Sequence, residues 1–315
     1  MKIAVFSSIW PAAVEQLQQQ FECRVSINPP DEEKHRLLVD AEVAVVRSPV
    51  RLDRAALEAA PRLKLIVRAG AGLDAIDVPL VKSREIVLVT VPLSADSVAE
   101  HTLGLLLSVC RRIPALHQSL QQGRWEKHSG LGVELCGKTL GLIGFGRIGI
   151  RTAEIARALK MNLIAFDRSP EKSHKHEAAE RLAVRFLSLD ALLAQADFVS
   201  IQTPLNDSTQ GLVDARRLAA MKPTAVLVNV GRGGIVDEQA LYDALQGGHL
   251  AGAALDVFQS EPPGDHPLLS LDNFVATPHV AAQTLDAQQR VGEDVLEIIR
   301  AFSAGRSLSG LGIIV

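Results

Sequence analysis

Short, unbroken apolar runs recur along this chain, and they limit its fold more than any other feature. The first group is Ile3–Phe6, Val43–Val46, Leu65–Val67 and Ile86–Val89. The second is Leu140–Ile143, Leu163–Phe166, Phe198–Ile201, Ala225–Val228, Ala253–Leu255 and Phe274–Ala276. A strand with one wet face would alternate apolar and polar residues, whereas these runs read as strands buried on both faces. Helix-period stretches separate them, at Ala12–Gln20, Arg54–Ala60, Arg147–Leu159, Asp237–Gln246 and Asp286–Phe302. Strand, helix and strand in succession imply parallel sheets joined by crossover helices. The predicted class is α/β, and 315 residues suit two domains.

A domain boundary is expected near residue 95. Ser97-Val98-Ala99-Glu100 has a capping-box pattern, with a hydroxyl at the N-cap and a carboxylate three residues on. The apolar helix it opens runs to about Arg112, where Pro114 stops or kinks it. Lys plus Arg number 33 and Asp plus Glu 36, a net charge of −3 that argues against nucleic acid as a partner. The most apolar stretch, Val91 to Cys110, is interrupted by Asp96, Glu100 and His101, so no membrane span is expected. Ile3 to Phe6 is too short for a secretory core. Cys23, Cys110 and Cys136 lack paired-ligand spacing, so neither disulfides nor a metal site is expected. They read as small buried hydrophobes of a cytoplasmic protein.

The clearest motif is Gly144-Phe145-Gly146-Arg147-Ile148-Gly149, directly after an apolar strand and at the start of a helix. In such a loop the first glycine makes the tight turn, the second admits a pyrophosphate, and the third lets helix and sheet pack closely. The helix N-terminus adds unpaired N–H groups and partial positive charge. Glycine triplets also arise in plain turns. Here the next strand ends in Asp167, 23 residues after Gly144, where an acidic ribose-binding residue belongs. Asp167 favours NAD over NADP, although the adjacent Arg168 is a group that could pair with a 2′-phosphate.

Ligands of open α/β sheets bind beyond the carboxyl ends of the strands. Three ionisable residues fall there: Arg232 after Ala225–Val228, Glu261 after Ala253–Leu255, and His279 after Phe274–Ala276. Each alone reads as a surface charge or a structural histidine. Together beside a nicotinamide they suit hydride transfer. Arg232 would grip a carboxylate with two hydrogen bonds. His279 would donate and accept the hydroxyl proton. Glu261 would orient the ring and favour its protonated form.

With these residues the chain resembles the D-isomer-specific 2-hydroxyacid dehydrogenase family over essentially its whole length. The signatures are Val67 to Asp74 (VRAGAGLD), Ser97 to Glu100, Gly144 to Gly149, Gly231 to Glu238 (GRGGIVDE), Asp256-Val257-Phe258 and Thr277-Pro278-His279. Val46-Arg47-Ser48, the Arg68 run, Gly123-Arg124-Trp125 and Gly305 to Leu308 are most similar to its 3-phosphoglycerate dehydrogenases. The resemblance implies two doubly wound parallel-sheet domains, a Rossmann cofactor domain inserted into a flavodoxin-like substrate domain. Residues 1–97 and 283–315 would be the substrate-binding domain, and 98–282 the NAD-binding domain. It implies Arg232, Glu261 and His279 as the catalytic residues. Cofactor contacts would come from Gly144, Gly146, Arg147, Ile148, Gly149, Asp167, Arg168, Thr203, Val230, Gly231 and Asp256, the last at the nicotinamide carboxamide. Substrate contacts would come from Arg47, Arg68, Ala71, Gly72 and Ser94.

Three positions depart from the pattern: Gln202 where His is common, Ala71 for Thr, and Ser94 for Asn. The implied function is NAD-dependent interconversion of an anionic D-2-hydroxy acid and its 2-keto acid, with 3-phosphoglycerate first. A hydroxypyruvate or glyoxylate reductase is the same-chemistry alternative. An NAD-sensing corepressor-like interaction protein is the alternative from another class. Homodimers through the cofactor domain are usual in the family. The chain stops at Val315 without the C-terminal regulatory domains of longer phosphoglycerate dehydrogenases, so serine feedback through such a domain is not expected.

Overall fold

Thirteen strands organise the described residues: β1 (Lys2–Val5), β2 (Glu22–Val25), β3 (Val43–Val46), β4 (Leu65–Arg68), β5 (Val87–Thr90), β6 (Thr139–Ile143), β7 (Asn162–Phe166), β8 (Val184–Phe186), β9 (Phe198–Ile201), β10 (Val226–Asn229), β11 (Gly252–Leu255), β12 (Phe274–Ala276) and β13 (Ile313–Ile314). The computed structural model describes residues 1–70, 72–91, 95–311 and 313–314, the last two as backbone. Two compact units result, residues 1–94 with 283–315, and residues 95–282.

The first unit carries a sheet in the order β13-β5-β4-β3-β1-β2. The β2-β1-β3-β4-β5 portion is parallel, and β13 runs antiparallel on β5. This order is the flavodoxin-like one, and an antiparallel edge strand is a common addition. All four residues of β3 and all four of β4 are buried, because helices cover both faces. Ala13 and Leu17 of helix Pro11–Gln20 pack on one face with Val291, Val295 and Ile299 of helix Leu285–Ser303. Leu38, Ala56, Leu57 and Val81 cover the other. Gly292 has no room for a side chain, since a Cβ there would lie 2.4 Å from that of Trp10.

The second unit carries a fully parallel sheet in the order β12-β11-β10-β9-β6-β7-β8. Sequence order reverses between β6 and β9, which lie side by side with Ile143 opposite Ile201. At such a switch point the loops leave in opposite directions and open a crevice beyond the strand ends. Leu192, Leu193, Val199, Leu227, Leu241 and Leu255 form the core of one face. No helix is long and apolar enough to cross a membrane among the described residues.

Several expectations change. Strands β2, β8 and β13 carry no long apolar run; β2 is largely exposed and β8 has three residues. The helix of residues Ala95–Cys110 starts before Ser97, which is buried within its first turn and is not the N-cap. It ends at Cys110, and Arg112 adopts a left-handed conformation before Pro114. Of the cysteines only Cys110 is buried; Cys23 is half-buried and Cys136 exposed. Burial pushes the thiols of Cys23 and Cys110 up to about 11.

Candidate active site

The glycine loop occupies the switch point. The Gly144 N–H reaches the Phe166 carbonyl at 2.9 Å, and the Gln202 N–H reaches that of Ile143 at 2.9 Å. These bonds carry the loop off β6 between its two neighbours. Gly144 has φ +98°, a conformation that side chains rarely adopt. A Cβ on Gly149 would lie 2.3 Å from the Gly144 oxygen, so this glycine is required by the turn itself. A Cβ on Gly146 would meet nothing within 4 Å. That open space lies where a pyrophosphate would approach the N-terminus of helix Arg147–Ala158.

A cavity of about 310 Å³ begins at Gly144 and Gly146, passes Thr203 and reaches Asp167, Arg168 and Lys175. Its volume falls in the range of small-molecule pockets. Glycine turn, helix terminus and cavity fit the adenosine and phosphate parts of a dinucleotide. A second hollow of about 680 Å³, lined by Arg112, Ala115, Leu271 and Phe274 among others, touches none of the catalytic, cofactor or substrate residues expected from the sequence.

Asp167 follows β7 and lines the cavity, but its oxygens are occupied. Oδ2 accepts the Phe145 N–H at 2.9 Å, and Oδ1 accepts the Ser169 N–H at 2.8 Å and the Lys175 ammonium at 2.6 Å. Burial opposes its charge; the Lys175 ammonium and the two N–H groups outweigh burial and hold the carboxyl below its ordinary range. The exposed Arg168 donates to Ser208 Oγ at 2.9 Å. Gln202 donates to Thr152 Oγ1 at 2.8 Å and Ser200 Oγ at 3.1 Å, tying β9 to the helix behind the glycine loop. Arg147 is exposed at the start of that helix, while Ile148 and Thr203 are half-buried and Val230 is buried.

Arg232, Glu261 and His279 converge beyond the ends of β10, β11 and β12. His279 Nδ1 lies 2.8 Å from Glu261 Oε2. Glu261 Oε1 accepts the Phe258 N–H at 3.1 Å, which fixes the carboxylate. Burial again opposes this acid, and the bond to His279, its charge, the Phe258 N–H and the charge of Arg232 together lower the carboxyl's pKa. An ionised Glu261 can only accept, so His279 Nδ1 carries the hydrogen and Nε2 is the nitrogen left for other chemistry.

Close backbone packing brings Arg232 to the same place. A Cβ on Gly233 would sit 1.9 Å from the Phe258 oxygen, so the turn after β10 lies directly on the loop that carries Glu261. Asn229 stiffens that turn, accepting the Gly231 N–H at 3.0 Å and donating to the Arg232 carbonyl at 2.9 Å. A Cβ on Gly231 would lie 2.7 Å from the Thr203 oxygen, which joins this turn to the cavity wall.

Asp256 is buried, and its hydrogen bonds go to its own chain. Oδ1 accepts from Thr277 Oγ1 at 2.6 Å and the Val280 N–H at 2.9 Å, and Oδ2 accepts the Ala281 N–H at 2.9 Å. His101 Nε2, from helix Ala95–Cys110, lies 3.0 Å from Thr277 Oγ1. The Thr277 hydrogen already points to Asp256, so His101 is the donor there. Neither His101 nor Lys175 was among the site residues expected from the sequence. The only signals were a polar residue inside an apolar helix and a lysine eight residues after the acid of β7.

In the first unit, Arg68 ends β4 and Arg47 follows β3, with Val46 opposite Arg68. Arg68 is buried, donating from Nε to the Gly72 carbonyl at 2.9 Å and from Nη2 to Ser48 Oγ at 2.8 Å. Arg47 is half-buried, and burial lowers its pKa. Ala71 and Ser94 lie outside the described residues. Among the described residues no cluster of His, Cys, Asp and Glu is arranged to hold a metal ion.

Residues 103–281 match the family model for the NAD-binding domain of D-isomer specific 2-hydroxyacid dehydrogenases. The D-3-phosphoglycerate dehydrogenase of Mycobacterium tuberculosis is 42% identical over 307 residues, 96% of this chain. The chain spans about 57% of that relative's length. The hydroxypyruvate reductase of Thermotoga maritima is 44% identical over 272 residues, covering 85% of this chain and 87% of that protein. Among solved structures, the D-lactate dehydrogenase of Aquifex aeolicus, complexed with NAD and lactic acid, matches with a TM-score of 0.83 and 30% identity, covering 96% of each chain. The chain therefore belongs to the D-isomer specific 2-hydroxyacid dehydrogenase family, and residues 103–281 are its NAD-binding domain.

Proposed function

We propose that the chain interconverts a D-2-hydroxy acid and its 2-keto acid, with 3-phosphoglycerate the leading substrate. The observation that carries this reading is the 2.8 Å contact of His279 with Glu261, beside the turn that bears Arg232. NAD, when bound, supplies hydride acceptance. In the oxidation direction His279 Nε2 takes the hydroxyl proton while Nδ1–H stays with Glu261, and in reduction the same proton returns to the carbonyl oxygen. Arg232 pairs with the substrate carboxylate through its planar fork and steadies charge on the reacting oxygen. Ionised Glu261 favours the imidazolium that forms, a differential gain that lowers the barrier.

Anion selection is assigned to Arg47, Arg68 and Gly72 of the first unit, together with Ala71 and Ser94. Adjacent cations at the ends of β3 and β4 support that assignment. Hydroxypyruvate reduction is the second reading, favoured by the 44% identity to a reductase of matching length. A homodimer through the cofactor unit is also part of the proposal. Its support is a run of exposed apolar side chains that includes Trp125, 81% exposed, and Leu131, 89% exposed. A cytoplasmic setting goes with the same reading. The test is a panel of 2-hydroxy and 2-keto acids (phosphorylated, sulfonated, short and branched), scored by NADH absorbance. Turnover of a D-2-hydroxy acid is expected. Turnover of none, by protein that binds NADH, contradicts the reading.

A further inference from the structure

We propose that the adenosine end of the cofactor site admits a 2′-phosphorylated dinucleotide as well as NAD, with Lys175 as the residue that sets the balance. The inference concerns the cofactor site and does not depend on which acid is the substrate.

A carboxylate that selects NAD does so by accepting both ribose hydroxyls and repelling a phosphate. Asp167 is poorly placed to do either. A carboxylate offers about four acceptor positions, and three are taken, by Phe145 N–H, Ser169 N–H and Lys175 Nζ. One position remains for a ribose hydroxyl unless Lys175 moves away. Its charge is also matched, because the Lys175 ammonium is 2.6 Å away and both side chains are nearly buried, at 12% and 11% exposure. Low exposure limits screening of this pair. The same neighbours keep Asp167 ionised, so the pairing holds at neutral pH.

The surrounding charge has the opposite sign. Arg168, Lys172 and Lys175 all line the cavity, and Asp167 is the only acid among its lining residues. A 2′-phosphate carries roughly −1.5 to −2 charges at neutral pH and three acceptor oxygens. Two further cations, Arg168 and Lys172, beside an acid that Lys175 already neutralises suit that group better than an uncharged hydroxyl. Phosphate competes with Asp167 for Lys175, and Arg168 and Lys172 are exposed and long enough to turn toward it.

The experiment is equilibrium binding of NADH and NADPH to the full chain, each followed by its own fluorescence and without substrate. Wild-type protein is expected to bind the two with dissociation constants within about tenfold of each other. Lys175→Met is expected to raise the NADPH-to-NADH ratio of dissociation constants about tenfold, since it removes a charge-assisted bond and unmasks Asp167. Lys172→Met changes an exposed residue, so its folding is secure, and it is expected to shift the ratio in the same direction. Added KCl is expected to weaken NADPH more steeply than NADH. Tight NADH binding with no NADPH binding to the wild type overturns the inference while leaving the NAD site intact. A ratio unmoved in both variants also overturns it. Binding of neither nucleotide overturns the inference and the cofactor site together.

Discussion

The main-chain carbonyl of Asp256 accepts the N–H of His279 at 2.8 Å, and the Asp256 carboxylate accepts the next two N–H groups, from Val280 and Ala281. His279 sits between these anchors with φ +54°, a left-handed backbone that a histidine tolerates only when its surroundings impose it. The Asp256 carboxylate thus helps hold the His279 ring toward Glu261. Asp256→Asn presents an amide donor to neighbours that are all donors. It is expected to cost about 1–3 kcal/mol of stability and to lower kcat more than it changes NADH affinity. Denaturant titration together with steady-state kinetics checks both. Wild-type kcat in a destabilised variant contradicts the positioning role.

The same acid makes stability depend on pH. Burial opposes the Asp256 charge, but His101, Thr277 and the two N–H groups outweigh it and hold the carboxyl below its ordinary range. On acidification the unfolded chain therefore takes up this proton first. The stabilisation is complete above the ordinary aspartate value of about 3.9 and is lost as pH falls through the lower folded value. Denaturation midpoints measured downward from neutral pH are expected to fall steeply below about 4 and less steeply in Asp256→Asn. Equal slopes for the two proteins contradict this.

Two glycines of one loop are expected to respond differently to a methyl group. Gly149→Ala forces a Cβ to 2.3 Å from the Gly144 oxygen and should destabilise the protein by roughly 1–3 kcal/mol. Gly146→Ala meets open space and has an ordinary extended backbone, so it should fold as the wild type does. Its loss should appear in NADH affinity, because the methyl occupies the approach of the pyrophosphate. Thermal melts and NADH fluorescence titrations separate the two effects. Equal melting temperatures, or unchanged NADH affinity in Gly146→Ala, contradict the reading of the loop.

The exposed Trp125 and Leu131 give the dimer proposal a direct handle. Trp125→Arg places a charge in the apolar run and is expected to shift sedimentation from dimer to monomer without loss of helical signal. A wild type that sediments as a monomer contradicts the proposal.

Much of this was legible in the chain because burial leaves a local mark. All four residues of β3 are buried, and the run Val43–Val46 is apolar throughout. The β2 edge, Glu22–Val25, has no such mark because solvent faces most of it. Glu261 and His279 were identifiable because each closely follows an apolar run, the fully buried β11 and the partly buried β12, which are neighbours. His101 was not, since its partner Thr277 is 176 residues away and nothing local records the pairing. Lys175 escaped for a different reason: it is only eight residues from Asp167, but no motif records that helix Ser173–Leu182 turns this lysine onto the acid. The Ser97 pattern misled because a capping box has the same letters inside a helix as at its start.

The central claim is that His279 moves the substrate proton, and His279→Gln tests it most directly. Glutamine keeps much of the ring's size and a hydrogen bond to Glu261 but cannot exchange a proton near neutral pH. With the best acid from the substrate panel, kcat should fall about 10²–10⁴-fold while NADH affinity stays at the wild-type value. Turnover within a few-fold of wild type across the pH range would remove His279, and with it this account of the chemistry.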